Sequence, residues 1–309
     1  MNSLSSRLRR SSTLRALLAP ALAARRRLAD PGRPYAHRTW ERLRDLLAED
    51  PVIRMPEFGG TFQVDPRSHL FMRALLDGEY EPELARLCAR LVAPDRDALD
   101  IGANVGFFSV LLASHLPRRR ILAVEPSPAI APRLRINLER NGVADRVIVF
   151  EGAVSDRSGQ VELSGIDGKE EYGTIGQPAH PGMWTDAADR DAEVRSVTVE
   201  ARTLDAIVAE HQLDPGFVKV DVEGAEHLAF GGARDTLDGH RPLVLTELND
   251  RLLRANGSSA MDVVETFRNH GYRVVDPLDP ARTEATREKL ETPFALEEVL
   301  CVPEELPIP

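Results

Sequence analysis

From about residue 60 the chain alternates short apolar runs with segments whose apolar residues recur every three or four positions. That is the sequence form of an α/β domain built on a mostly parallel sheet. Seven runs read as strands: 98–101, 121–125, 147–155, 217–222, 243–248, 272–276 and 299–302. Helical patterns fall at 107–116, at 128–140 and at 259–270, where the run follows a serine and stops at Gly271. The middle helix carries Ser127 as its expected N-cap, Ile130, Leu134 and Leu138 on one face, and Asn141-Gly142 as its stop. A shorter helix is expected at 224–230. Only a loop, 277–298, separates the last two strands, so they are expected to pair antiparallel at one edge of a seven-stranded sheet. Residues 156–202 form a connection longer than usual, which reads as a lid or binding loop, with Tyr172, His180 and Trp184 as candidate contacts to a substrate.

Composition changes the picture in two places. The chain has 309 residues, 42% hydrophobic and 28% charged, enough for one large core. Cys88 and Cys301 have neither metal-ligand spacing nor the makings of a disulfide framework and read as small buried residues. Lys169, Lys219 and Lys289 are the only lysines among 39 basic residues, so a lysine is the rarer choice of cation. Residues 1–44 carry a balance of +9 and leave about −19 for the remainder, which argues against a nucleic-acid partner. The arginine-rich opening, treated as an extension over 1–55, reads as a tail, a helix in weak contact with a membrane surface, or an export signal. Its apolar stretch at 17–24 is too short to span a bilayer, and the expected location is cytoplasmic.

The candidate chemistry starts at "DALDIGANVGFFSVLLAS", residues 97–114. A strand ending at Ile101, glycines at 102 and 106 and a following helix make a ligand turn at the carboxyl edge of the sheet. The spacing excludes two phosphate-binding turns. A P-loop needs Gly-Lys-Ser/Thr where Gly106 is followed by Phe107 and Phe108, and G-x-G-x-x-G is not present.

The pattern Asp-x-Gly-x-x-x-Gly resembles the first motif of methyltransferases that use S-adenosylmethionine (SAM), with Glu125 of "VEPSP" in the place of the acid that holds the ribose hydroxyls. A carboxylate has two acceptor oxygens suited to a vicinal diol. Further runs, "GEYEPE" at 78–83, "FEGAVSDRSG" at 150–159, "TLDAIV" at 203–208, "VKVDVEGAEHLAFGG" at 218–232 and "PLVLTEL" at 242–248, make residues 60–303 similar to the FkbM family of methyltransferases. The resemblance implies a Rossmann-like α/β fold with a seven-stranded, mostly parallel sheet and an antiparallel edge strand. It also implies O-methylation of a small molecule or carbohydrate. SAM would be held by Glu81, Asp100, Gly102, Ala103, Asn104, Gly106, Glu125, Pro126 and Ala153.

Transfer to oxygen requires alignment of donor and hydroxyl and loss of a proton. Asp221 is the first candidate for base or orienter, with Glu223 and Lys219 positioning it; in an extended segment the three side chains would share a face. A cap on the following helix for Asp221, and a structural ion pair between Lys219 and Glu223, are the competing readings. Asp221 and Glu247, with Asn249, could hold Mg²⁺, but no third carboxylate is evident and metal dependence is not expected. N-methylation, or a SAM-binding module without activity, remain open alternatives.

Overall fold

The computed structural model describes residues 50–66, 68–76, 78–166, 169–175, 194–279, 283–292 and 296–309. The arm up to residue 49, the candidates His180 and Trp184, and the side chain of Tyr172 lie outside the described residues.

The described chain opens with an antiparallel ribbon, β1 (Val52–Met55) and β2 (Gly60–Gln63), joined by a helical turn at Pro56–Phe58. Met55, Phe58 and Phe62 are buried, so ordered core begins ahead of the boundary near 60. Helices α1 (His69–Leu76) and α2 (Pro82–Leu91) follow, and Pro82 starts α2 where its missing N–H costs nothing. Then come β3 (Asp97–Ile101), α3 (Phe107–His115), β4 (Ile121–Val124), α4 (Ala131–Arg140) and β5 (Val147–Phe150). A second set of strands comprises β6 (Ala153–Val154), β7 (Gly159–Ile166), β8 (Lys169–Ile175) and β9 (Val194–Arg202). The chain then runs through α5 (Leu204–His211), β10 (Pro215–Val220), α6 (Glu226–Gly231), β11 (Leu243–Glu247), α7 (Asp250–Ala255), α8 (Ala260–Asn269), β12 (Tyr272–Val275), α9 (Arg287–Glu291) and β13 (Glu298–Pro303).

The main sheet has seven strands in the order β12-β13-β11-β10-β3-β4-β5, with β11, β10, β3, β4 and β5 parallel. It is the expected α/β sheet, with its last two strands, β12 and β13, paired antiparallel at one edge as expected. Within that pair the reversed strand, β13, lies between β11 and β12, antiparallel to both. Burial explains the order. β13 is apolar from Val299 to Val302 and buried throughout, so it belongs where both edges and both faces are covered, whereas β12 carries the half-buried Arg273 and tolerates the rim. Along β3, Ala98 packs into one apolar layer, with Phe58, Phe62 and Phe107, while Leu99 and Ile101 pack into the other, with Ile207, Phe230 and Phe267.

Three local expectations change. The run 147–155 is not one strand: it breaks after Phe150, and β6 joins a separate four-stranded sheet ordered β6-β9-β7-β8. Gly152 permits the crossing, since a Cβ there would lie 2.6 Å from the Phe150 ring and 2.9 Å from the Glu200 carbonyl oxygen. The described residues of the long connection 156–202 therefore lie largely in a sheet. Ser127 does not cap α4 with its hydroxyl. Its N–H is drawn 2.8 Å to the Glu125 carboxylate, its carbonyl accepts from Ile130 and Ala131, and the helix starts at Ala131. Finally, α6 begins at Glu226 rather than 224. Thr203 and Ser259, by contrast, cap α5 and α8 through their side chains.

Candidate active site

The turn after β3 is shaped by what touches it. Gly102 adopts φ 85°, and a Cβ on it would fall 1.8 Å from the carbonyl oxygen of Asp221, so this glycine lets the ends of β3 and β10 meet. Gly106, at φ 93°, leaves room for Leu134 of α4, which a Cβ would approach to 2.7 Å. The N–H groups of residues 102 to 106 are all taken up by the turn itself and by the end of β4. Gly102 and Ala103 donate to the Val124 carbonyl, Asn104 to the Glu125 carboxylate, Val105 to the Asn104 side chain and Gly106 to the Ala103 carbonyl. The turn is consequently not a nest for a phosphate, which needs such groups pointing outward. It offers room and shape.

Glu125, at the end of β4, is held by two of these donors. Oε2 accepts from Asn104 N at 2.9 Å and Oε1 from Ser127 N at 2.8 Å. Burial pushes its carboxyl up to about 7, and the two N–H bonds work against the rise. Each oxygen has used only one acceptor position. Asn137 of α4, fully buried, braces the turn from behind: Nδ2 donates to Val105 O and Gln63 O, and Oδ1 accepts from Gln63 N.

The other half of the site lies at the end of β10. Lys219 shares the face of Phe217 on this strand and so enters the layer of α2 and α3, where it is 4% exposed. Its Nζ donates to Asp221 Oδ2 at 2.9 Å and sits 4.5 Å from the centre of the Phe108 ring. Burial alone would lower this ammonium's pKa, but the carboxylates of Asp221, Asp100 and Glu81 outweigh it and hold the pKa above its ordinary value. Asp100, in register across the sheet from Lys219, accepts from the Ser109 hydroxyl at 2.6 Å. It stands behind the cavity wall, and burial raises its pKa against the pull of Lys219. Glu81 precedes α2 in a left-handed conformation (φ 43°), with Arg73 at 3.9 Å; burial and then Asp221 raise its pKa.

One cavity of about 250 Å³ joins the two halves. Its wall includes Gly102, Ala103, Asn104, Glu125, Pro126 and Ala153 on one side and Glu81, Lys219, Asp221 and Glu223 on the other. Asp100 and Gly106 shape it from behind. Across the top lies the β7–β8 hairpin, contributing Leu163, Gly165, Gly173 and Ile175.

Asp221 is not the helix cap. No side chain caps α6; instead Glu226 Oε1 accepts from Val222 N and Gly224 N at 3.3 and 3.2 Å. The lysine pairs with Asp221 rather than Glu223, because Glu223 takes φ 54° and leaves the extended path. Glu247 stands opposite Glu298 in the sheet, away from the cavity wall, and its pKa is raised by burial and by Asp221. Asn249 caps α7. Among the described residues no three His, Cys, Asp or Glu are placed to share a metal ion. Sequence reasoning did not single out Asn137, Glu226 or the hairpin glycines. The alternation Leu163, Gly165 and Gly173, Ile175 was the available signal for the last.

Over residues 100–274, more than half of the chain, the sequence matches the profile of the methyltransferase FkbM domain. The chain belongs to the FkbM methyltransferase family. Among its relatives is the 2-O-methyltransferase NoeI of Sinorhizobium fredii (strain NBRC 101917 / NGR234), 30% identical over 54% of this chain and 69% of that one. The 31-O-demethyl-FK506 methyltransferase FkbM of Streptomyces tacrolimicus is 28% identical over 60% of this chain and 76% of its own. The AMB antimetabolite synthetase AmbE of Pseudomonas aeruginosa is 30% identical over 60% of this chain, a match that spans 10% of that protein. A crystal structure of a methyltransferase FkbM from Methylobacillus flagellatus KT superposes with a TM-score of 0.43 at 17% identity, over 69% of this chain and 45% of the other. No helix among the described residues is long and apolar enough to cross a membrane.

Proposed function

We propose that this FkbM-family methyltransferase uses SAM to methylate a hydroxyl oxygen of a small molecule or carbohydrate. The observation that carries the reading is the single cavity bounded by the glycine turn with Glu125 and by Asp221 with Lys219. Its residues fit SAM on three counts. Gly102 lets the Asp221 backbone close against the turn so that both halves wall one cavity, Glu125 keeps an acceptor position on each oxygen for a vicinal diol, and the internally satisfied turn has nothing to offer a pyrophosphate. Gly102 to Asn104 and Glu81 would surround the amino-acid end, Glu125 and Pro126 the ribose, and Ala153 the adenine. Bound SAM supplies an electrophilic methyl group on a cationic sulfonium.

The chain's own contribution is alignment and the proton. Lys219 holds Asp221 Oδ2, orienting the carboxylate at the cavity wall, and Asp221 Oδ1 is the oxygen that receives the acceptor's hydroxyl proton. Asn in its place keeps the shape and loses the basicity. Asp221→Asn should lower turnover by about 10²- to 10⁴-fold while leaving SAM affinity within a few fold. The test is release of S-adenosylhomocysteine (SAH) across a panel of alcohols, glycosides and amines. Turnover confined to amines, or near-parental turnover in Asp221→Asn, overturns the proposal.

A further inference from the structure

The hairpin across the top of the cavity has two unlike faces. Side chains alternate along its strands, and those that meet the cavity are Leu163 and Ile175, directly opposite each other on β7 and β8, and then Gly165 and Gly173, the next facing pair. The polar side chains turn the other way. Ser164 and Ser196 share a hydrogen bond of 3.0 Å, and Thr174 Oγ1 accepts from Asn256 Nδ2 at 3.4 Å. Over these residues the inner face offers no side-chain hydrogen-bonding group.

Neither conformation nor packing requires a glycine at 173. Its backbone is not left-handed, and a Cβ would meet only Leu163, at an ordinary 3.7 Å. A glycine inside a strand costs stability relative to a residue with a side chain. With Gly165 opposite, it leaves a slot where two facing side chains would stand. The slot lies away from the proposed adenine end. Gly159, at the start of β7, pairs with Ala201, which pairs in turn with Ala153, and from Gly159 to Gly165 the strand advances about 20 Å. There β8 packs against α1, whose Arg73 stands beside Glu81 on the Asp221 side of the cavity. The apolar row also continues outward: Val197 of β9 faces Leu163 across the sheet and is 42% exposed.

We infer that this slot receives the body of the methyl acceptor, and that the acceptor is an alcohol whose hydroxyl is carried on an apolar ring system rather than a free sugar. This rests on the reading of the cavity as a site of methyl transfer from SAM to a hydroxyl. A flat ring system fills the space left by Gly165 and Gly173 beside Leu163, Ile175 and Leu70, with its outer edge on Val197 and its hydroxyl turned to Asp221. A hexose would press its other hydroxyls against this surface, where each loses water without gaining a partner.

The experiment is calorimetry on the full chain saturated with SAH and titrated with 2-decalol, cyclohexanol and methyl glucoside. Because SAH has no methyl group to give, the readout is acceptor binding alone. Each buried methylene is worth about fourfold in affinity, so 2-decalol, which adds a second ring to cyclohexanol, is expected to bind at least about tenfold more tightly, and methyl glucoside more weakly than either. Gly173→Val should weaken 2-decalol binding at least about tenfold, and Gly173→Ala by less, while SAH affinity and melting temperature stay near the parent's. Three results overturn the inference while SAH still binds and the SAM reading stands: methyl glucoside binding as tightly as 2-decalol, no binding of any of the alcohols at millimolar concentration, or an unchanged 2-decalol affinity in Gly173→Val. Failure of the parent to bind SAH overturns the SAM reading, and this inference with it.

Discussion

Lys219→Met removes the cation on which the site is built and keeps most of its apolar stem. The ammonium is buried, so its loss leaves Asp100 and Asp221 facing each other without a counter-ion. Breaking a buried pair from one side costs about 3 to 5 kcal/mol. The lower end applies here, because the Asp221 side chain is 31% exposed and water screens part of its charge. For a folded unit of this size, about 3 kcal/mol corresponds to roughly 6 to 12 °C in melting temperature. The pH dependence fixes the cause. Without the lysine, the Asp100 carboxyl, already raised by burial, rises further above its unfolded value, and such a group contributes stability that is present in acid and lost as pH rises. The deficit of the variant relative to its parent should accordingly be largest above neutrality and shrink on acidification. Adding Asp100→Asn should recover part of it, since the amide carries no charge to leave stranded. Urea unfolding of parent, single and double variants at mildly acid and mildly alkaline pH tests this. A pH-independent deficit would mean that Lys219 matters for packing rather than charge, and a parental melting temperature would remove the charge argument altogether.

Glu125→Ala should weaken SAM binding by about 2 to 4 kcal/mol, read by calorimetry, because it loses two charge-assisted hydrogen bonds. In the parent, where Glu125 titrates at about 7, SAM affinity should rise with pH through that range and level off above it. Gly102→Ala should destabilise by well over the roughly 1 to 2 kcal/mol of a left-handed backbone, because its Cβ would collide with the Asp221 carbonyl; a melting temperature within a degree of the parent would refute that contact. Gly173→Val should be tolerated by the fold, since its Cβ would meet only Leu163 at an ordinary 3.7 Å, yet it narrows the cavity and should change the range of acceptors turned over.

The parallel core was legible because its strands are buried on both faces and so appear as unbroken apolar runs, as in "ILAV". The placement of β13 was less legible. Adjacent runs joined by a loop suggest a pair, but whether the second strand inserts between two neighbours or adds to the edge depends on which strand tolerates the rim. Arg273 was the clue to that. The β7–β8–β9 sheet escaped notice because the alternation of "QVELSGI" is diluted by glycine, serine and charge over an edge hairpin, where one face meets solvent.

The site was read by residue type, and types carry less than hydrogen-bond direction does. The two glycines after β3 were recognisable, and so was the acid after β4. That every N–H of the turn would be consumed by Val124, Glu125, Asn104 and Ala103 depends on the register of β4 against β3, which no spacing within the turn encodes. The same holds at β10. "KVDVEGAE" offers four charged side chains in eight positions, and alternation alone would place Lys219, Asp221 and Glu223 together. The left-handed turn at Glu223 and Gly224 breaks that alternation and folds Glu226 back onto the N–H groups of Val222 and Gly224. With Glu226 securing the turn, Asp221 has no capping duty and is left to the lysine and the cavity, which is what the proposed role of base asks of it.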